Sequence, residues 1–153
     1  MQGYFLIQIL LQIECSRPLI PLMSETKKFL DKWYQGYRSD DPEFLEEILD
    51  DSVVFSSPVV FKPIAGKEMT KLYLMGAGIT FNMDKFSYVR EVIDGLDVIL
   101  EFETFIDDIS VNGVDMIRWN ASGKIIDFKV MVRPLQAIHK LQQKMSESLD
   151  SLK

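Results

Sequence analysis

Cysteine and histidine each occur once in the 153 residues. A single cysteine, Cys15, excludes an internal disulfide. A single histidine, His139, removes the usual zinc sets, because Cys and His supply most of their ligands. Dense basic runs, a glycine-rich phosphate cradle and internal repeats are all missing. With Lys+Arg at 17 against Asp+Glu at 23, and a net charge of -6, the chain lacks the positive field that phosphate backbones demand, so no nucleic-acid partner is expected. Paired acids at Asp40–Asp41, Asp50–Asp51 and Asp107–Asp108 lack the spacing of a calcium loop and read as turns and helix ends. No metal or cofactor is expected.

Long hydrophobic runs are scarce too. The N-terminal MQGYFLIQILLQI is too short to cross a bilayer and is interrupted by Gln8 and Gln12. It lacks the leading Lys or Arg of a secretory signal, and Glu14 stands where a lipoprotein cleavage site needs a small residue. Met23 immediately precedes a helix-start signal. Residues 1–22 therefore read as a disordered leader or a mis-set start, and residues 23–153 as a single domain. A weak membrane-associating tail is the alternative for the leader. The expectation is a cytoplasmic protein without stable membrane insertion.

What remains is the mixture of an ordinary globular domain, 47% hydrophobic and 26% charged. Ser24 has the chemistry of an N-cap for ETKKFLDKWYQGYR, where Phe29, Leu30, Trp33, Tyr34 and Tyr37 recur at helical spacing. Pro42 suits the first position of a second helix, PEFLEEILD. SVVFSSPVVF reads as a short strand broken at Pro58, KPIAG as a loop, and KEMTKLYLMGAGI as a third helix. From Lys85 the period becomes two. KFSYVREVID, DVILEFETFIDDI, VDMIRWN and KIIDFKVMVR read as four strands joined by DGLD, an irregular DDISVNG and NASG. Pro134 opens a last helix with a stripe of Leu135, Ile138, Leu141, Met145, Leu149 and Leu152. The order predicts an α+β fold, with helices laid across one face of a curved antiparallel sheet. Such a cone encloses a cavity suited to a small apolar molecule. Trp33, Tyr34, Tyr37, Phe55, Phe61, Tyr73, Phe81, Phe86 and Tyr88 are available to line it or to build the core.

FLDKWYQGYRSDDPEFLEEILDDSVVFSSP, FSYVREV and NGVDMIRWNASGKIIDFKVMVRPLQAI together resemble the nuclear-transport-factor-2-like fold in its polyketide-cyclase-like (SnoaL-like) branch, including an uncharacterised bacterial subgroup. The resemblance covers about Ser24 to Met145. It implies a homodimer packed through the outer sheet face, with a pocket in each subunit that uses Asp, His, Tyr or Arg as acid, base or oxyanion partner. Members that hydrolyse epoxides or close rings place an acid at the end of the last strand, where this chain has Arg133. Relatives carry His at the positions of Ser56 and Phe61, so a histidine base is set aside here.

Alternation places Asp115, Ile117 and Trp119 on one face of their strand. On the next strand Asp127, Lys129, Met131 and Arg133 share one face and Ile126, Phe128, Val130 and Val132 the other. These faces assume no bulge, and DDISVNG is the expected place for one. Analogy with the family turns Lys129, Met131 and Arg133 into the cavity beside Asp115. The candidate site is then Asp115 and Arg133 as catalytic groups, with Trp33, Tyr34, Phe55, Phe61, Tyr73, Tyr88, Lys129 and Met131 as ligand contacts. A nearby cation would lower the pKa of Asp115 and keep it ionised as a base or anchor. Glu101 and Glu103, His139 and the NAS at Asn120 read as solvated or turn residues.

Two readings stay open. One is a small-molecule-binding protein, with acid/base chemistry of isomerase, cyclase or hydrolase type on a carbonyl or epoxide. The other is a non-catalytic homodimeric interaction module with structural ion pairs. If Asp115 only closes such a pair, Asp115→Asn destabilises by leaving a buried cation unpaired.

Overall fold

A computed structural model describes residues 19–39, 41 and 43–151. The expected leader falls largely outside them, as do Cys15, Asp40 and the Pro42 helix start. Helix α1 (Leu19–Gly36) begins before Met23, so Ser24 sits inside the helix and is not its N-cap. The hydroxyl of Thr26 donates to Gly95 O at 2.6 Å and ties this helix to the sheet. Leu30 and Trp33 turn into the core.

Helix α2 (Glu43–Ile48) is a short turn that buries Phe44 and Ile48. Strand β1 (Leu49–Ser56) starts directly after it, so Leu49 and Asp50, expected in the helix, are extended. A two-residue strand β2 (Ile64–Ala65) lies in the segment read as a loop, and α3 (Lys67–Thr80) follows. Strands β3 (Ser87–Asp94), β4 (Asp97–Ile106), β5 (Ile109–Trp119) and β6 (Ile125–Arg133) then lead to α4 (Leu135–Ser151).

The six strands form one open, curved sheet in the order β2-β1-β6-β5-β4-β3. Strands β3 to β6 make the expected antiparallel meander. Strand β1 departs from the expected all-antiparallel sheet by pairing with β6 in parallel, with Phe55 beside Phe128. The helices cover the concave side, which gives the cone expected from the element order.

Bulges on β3 and β6 set which of their side chains face inward, and the β1–β6 register also shifts between Leu49 and Val54. DDISVNG contains none. Asp107, at φ 50°, makes a tight turn with Asp108, and the β4–β5 register runs unbroken from Asp97–Arg118 to Ile106–Ile109. The irregularities lie elsewhere. On β3, Tyr88 pairs with Phe102 but Arg90 pairs with Glu101, so Val89 is the extra residue. On β6, Trp119 pairs with Ile125 but Arg118 pairs with Asp127, so Ile126 is extra. A bulge of one residue inverts every face beyond it.

On α4 the buried positions are Ala137, Leu141, Met145 and Ser148. Leu135, expected in the buried stripe, is 65% exposed. The helix sits on α3, and the hydroxyls of Thr80 and Ser148 meet at 3.1 Å. Among the described residues, no helix is long and apolar enough to cross a membrane.

Candidate functional site

The concave side of the sheet, α1 and the two later helices enclose a cavity of about 750 Å³. Its wall is largely aromatic. α1 supplies Trp33 and the turn after it Tyr37, β1 supplies Phe55, α3 supplies Tyr73, and the sheet adds Tyr88, Phe102 and Phe128. Phe86 stacks on Phe102 at 5.0 Å and meets Tyr88 edge-on at 5.1 Å. Leu141 and Met145 of α4 close the far side.

Asp115 breaks this apolar surface. It lies in the middle of β5 between Leu100 of β4 and Val130 of β6, and only 6% of it is exposed. The hydroxyl of Tyr88 donates to Asp115 Oδ2 at 2.7 Å. Trp33 Nε1 donates in turn to the Tyr88 hydroxyl at 3.0 Å. Since that oxygen accepts the indole proton, its own proton is directed at the carboxylate. The Val89 bulge makes this possible, because it turns Tyr88 inward onto the face of Phe102. Gly113 makes room beside it: a Cβ there would stand 2.2 Å from Phe102 Cζ.

Burial raises the pKa of Asp115 from 3.8 to about 7, and the hydrogen bond from Tyr88 pulls the other way without prevailing. Among the described residues no cation contributes. Burial first, and then the Asp115 charge, hold the Tyr88 phenol well above its ordinary value. The carboxyl therefore exchanges its proton near neutral pH, inside an apolar cavity, which is the condition a general acid or base requires.

The mouth carries the other charges. Arg38, Asp41 and Asp84 line it, together with Ser39 and Ser57. Arg38 Nε donates to the Tyr37 hydroxyl at 2.7 Å, and Nη2 donates to Phe86 O. Among the described residues, no three acids, histidines or cysteines cluster as metal ligands would.

Of the residues expected at the site, Asp115, Trp33, Phe55, Tyr73 and Tyr88 do line the cavity. Tyr34 does not. Its hydroxyl donates to Glu91 Oε2 at 2.7 Å, and it borders a shallow outer depression with Tyr37, Arg38, Ser87 and Tyr88. Phe61 is 99% exposed, on the loop after β1. Lys129, Met131 and Arg133 point away from the cavity, because the Ile126 bulge places Val130 rather than Lys129 opposite Asp115. The expected cation beside Asp115 is therefore absent, and with it the expected lowering of its pKa. Glu101 and Glu103 lie on the outer face as read, with Glu101 paired to Arg90 at 3.2 Å.

Sequence reasoning missed Phe44, Phe102, Phe128 and Arg38 as lining residues. For Phe128 the signal was present in the apolar alternation of its strand. Arg38 offered none, since its place at the mouth depends on how α1 ends.

No family model and no curated protein matches the sequence. Solved structures do. A steroid delta-isomerase from Pseudomonas aeruginosa is 33% identical, over 90% of this chain and 98% of that one, with a TM-score of 0.77. An uncharacterized protein conserved in bacteria, with a cystatin-like fold, from Silicibacter pomeroyi is 27% identical over 78% of this chain and 83% of its own, with a TM-score of 0.72. A nuclear-transport-factor-2-like protein of unknown function from Cytophaga hutchinsonii, 15% identical over 73% and 93%, shares the fold with a TM-score of 0.55.

Proposed function

The chain belongs to the nuclear-transport-factor-2-like family, and from that premise we propose that it moves a proton within an apolar, unsaturated ketone. The observation that carries the reading is Asp115: a lone buried carboxyl in an aromatic cavity, with its pKa near 7 and one phenol held against it. Likeness at 33% identity to a steroid delta-isomerase supports it.

The chemistry follows from the groups present. The ionised carboxylate takes a proton from the carbon beside the carbonyl, and the electron pair moves onto the carbonyl oxygen. The same carboxyl then returns that proton two carbons further along, giving the conjugated ketone. One group suffices for both transfers, so a second base is not needed. Once Asp115 holds the proton, Tyr88 no longer has a carboxylate to serve, and its hydroxyl is free to donate to the enolate oxygen. Trp33 keeps that hydroxyl in place throughout.

The test is to give the protein a β,γ-unsaturated keto-steroid and follow the ultraviolet absorbance of the conjugated product. kcat/KM is expected to rise with pH through about 7 as Asp115 ionises. Asp115→Asn is expected to lose on the order of 10²–10⁴-fold. An Asp115→Asn protein as active as the parent would refute the assignment. Placement in the polyketide-cyclase-like branch is a separate proposal resting on the three stretches that begin FLDKWYQ, FSYVREV and NGVDMIR; faster ring closure of a poly-β-ketone than isomerisation of the ketone would favour it.

The outer sheet face supports a homodimer and, short of catalysis, the interaction-module reading. Val89, Val92, Ile99 and Met131 are 39–55% exposed there. Ion pairs Arg90–Glu101 and Arg118–Asp97 flank them. Light scattering should give twice the chain mass, and Ile99→Lys should return it to one. A parent protein that is monomeric at high concentration would count against pairing through this face.

A further inference from the structure

We infer that the same cavity also binds organic cations, taking an alkylammonium ion whose N–H donates to Asp115 while its apolar body lies among the aromatic rings. This goes beyond the ketone reading and does not depend on it.

The first ground is the state of Asp115. It is 6% exposed, accepts a hydrogen bond from Tyr88 through Oδ2, and has no cationic neighbour among the described residues. A carboxylate accepts several hydrogen bonds, so one donor leaves it under-served. Burying such a charge without a counter-ion is costly, and a bound ammonium supplies both the charge and the missing donor.

The second ground is the wall. Trp33, Tyr37, Phe86, Tyr88 and Phe128 line the cavity, and aromatic faces attract cations most strongly when water is excluded. The third ground is the charge along the way in. The charged groups lining the cavity are Asp41, Asp84 and Asp115 against Arg38, and Arg38 is held by Tyr37 and Phe86. The whole chain carries -6. A cation approaching the mouth meets a field that attracts it, whereas an anion is repelled.

The pH dependence has a definite sign. Among the described residues, the groups facing Asp115 are Tyr88 from β3, Trp33 from α1, Tyr37 from the turn after it, and the uncharged Leu100 and Val130 from its neighbouring strands. None of them carries a carboxyl, an imidazole or an amine. Binding a cation needs the ionised carboxyl, so affinity rises with pH until Asp115 is fully ionised. A neutral ligand that accepts a hydrogen bond prefers the protonated carboxyl, and its dependence is flat or opposite.

Calorimetric titration of the full chain with 4-phenylbutylammonium and with 4-phenylbutanol, at pH 5.5 and 8.5, tests this. The amine stays protonated across that range, with a pKa near that of lysine, about 10.4. The ammonium Kd is expected to fall about tenfold or more between the two pH values, as the competent fraction grows, while the alcohol does not gain. Asp115→Asn should abolish that gain, and a cooperative urea melt of the variant shows separately that the fold survives. The inference is overturned if the ammonium binds no tighter than the alcohol at pH 8.5, if Asp115→Asn keeps the preference, or if neither compound binds. Absence of ketone isomerisation would refute only the catalytic reading, because the ammonium titration needs no turnover.

Discussion

Replacing Asp115 by asparagine should stabilise this protein at alkaline pH, the reverse of what a structural ion pair would give. The unfolded carboxyl titrates near 3.8 and the folded one near 7. Between those values the unfolded chain has lost the proton and the folded chain still holds it. Stability therefore falls as pH rises, by about 1.4 kcal/mol per unit, and levels off once the folded group is ionised. From pH 5 to pH 8 the usable span is roughly two units, or about 3 kcal/mol, all of it from this one buried group. Asparagine does not titrate, so the difference between variant and parent should grow by that amount over the same range. A neutral amide can still accept the Tyr88 proton, and any cost of its unpaired NH₂ is independent of pH. Urea unfolding of both proteins at pH 5, 6, 7 and 8 reads the effect directly. In thermal melts it corresponds to about 5–10 °C. A difference that stays constant with pH, or a variant that falls behind the parent as pH rises, would refute the account of Asp115 as an unpaired buried acid.

Tyr88→Phe removes the contribution that lowers the Asp115 pKa, so the midpoint of the parent's pH–stability curve should move upward from about 7. It also leaves the buried Trp33 indole without its acceptor, at a cost of about 1–3 kcal/mol by urea melt. Gly113→Ala puts a Cβ 2.2 Å from Phe102 Cζ and 2.8 Å from Met131 O. The backbone oxygen cannot yield as a side chain would, so a loss of about 1–3 kcal/mol is expected, and an unchanged melt would contradict the packing described. Lys129→Ala and Arg133→Ala, both on the outer face, should change stability by no more than about 0.5 kcal/mol. They should also leave 4-phenylbutanol binding unaltered, and weakened binding in either variant would put these cations back at the cavity.

The order of helices and strands was legible because each segment carries its own period, and turn residues such as those in DGLD and NASG punctuate them. The inward set of β5, with Asp115, Ile117 and Trp119, was legible for the same reason. The partners of Asp115 were not. Whether Lys129 or Val130 faces it depends on one extra residue, Ile126, in the strand opposite. Alternation within a single strand cannot register such a shift, because it is a property of the pair. Tyr88 shows the same limit: its inward turn depends on the Val89 bulge, and its contact with Trp33 depends on how α1 crosses the sheet. The parallel pairing of β1 with β6 was hidden by distance along the chain.

That pairing has a consequence for how the molecule forms. Strand β1 ends near Ser56, and the strand beside it begins at Ile125, so nearly half the chain must be made before β1 has its long neighbour. Pairings this distant along the chain are slow to close. During synthesis the first half emerges with helices and with β1 paired only to the two residues of β2, while the β3–β6 meander can zip up from local turns. The wall holding Phe55 would then be the last part of the cavity to settle. A chain released before β6 would carry that strand as an exposed edge, the kind of surface that draws chaperones or other copies of itself.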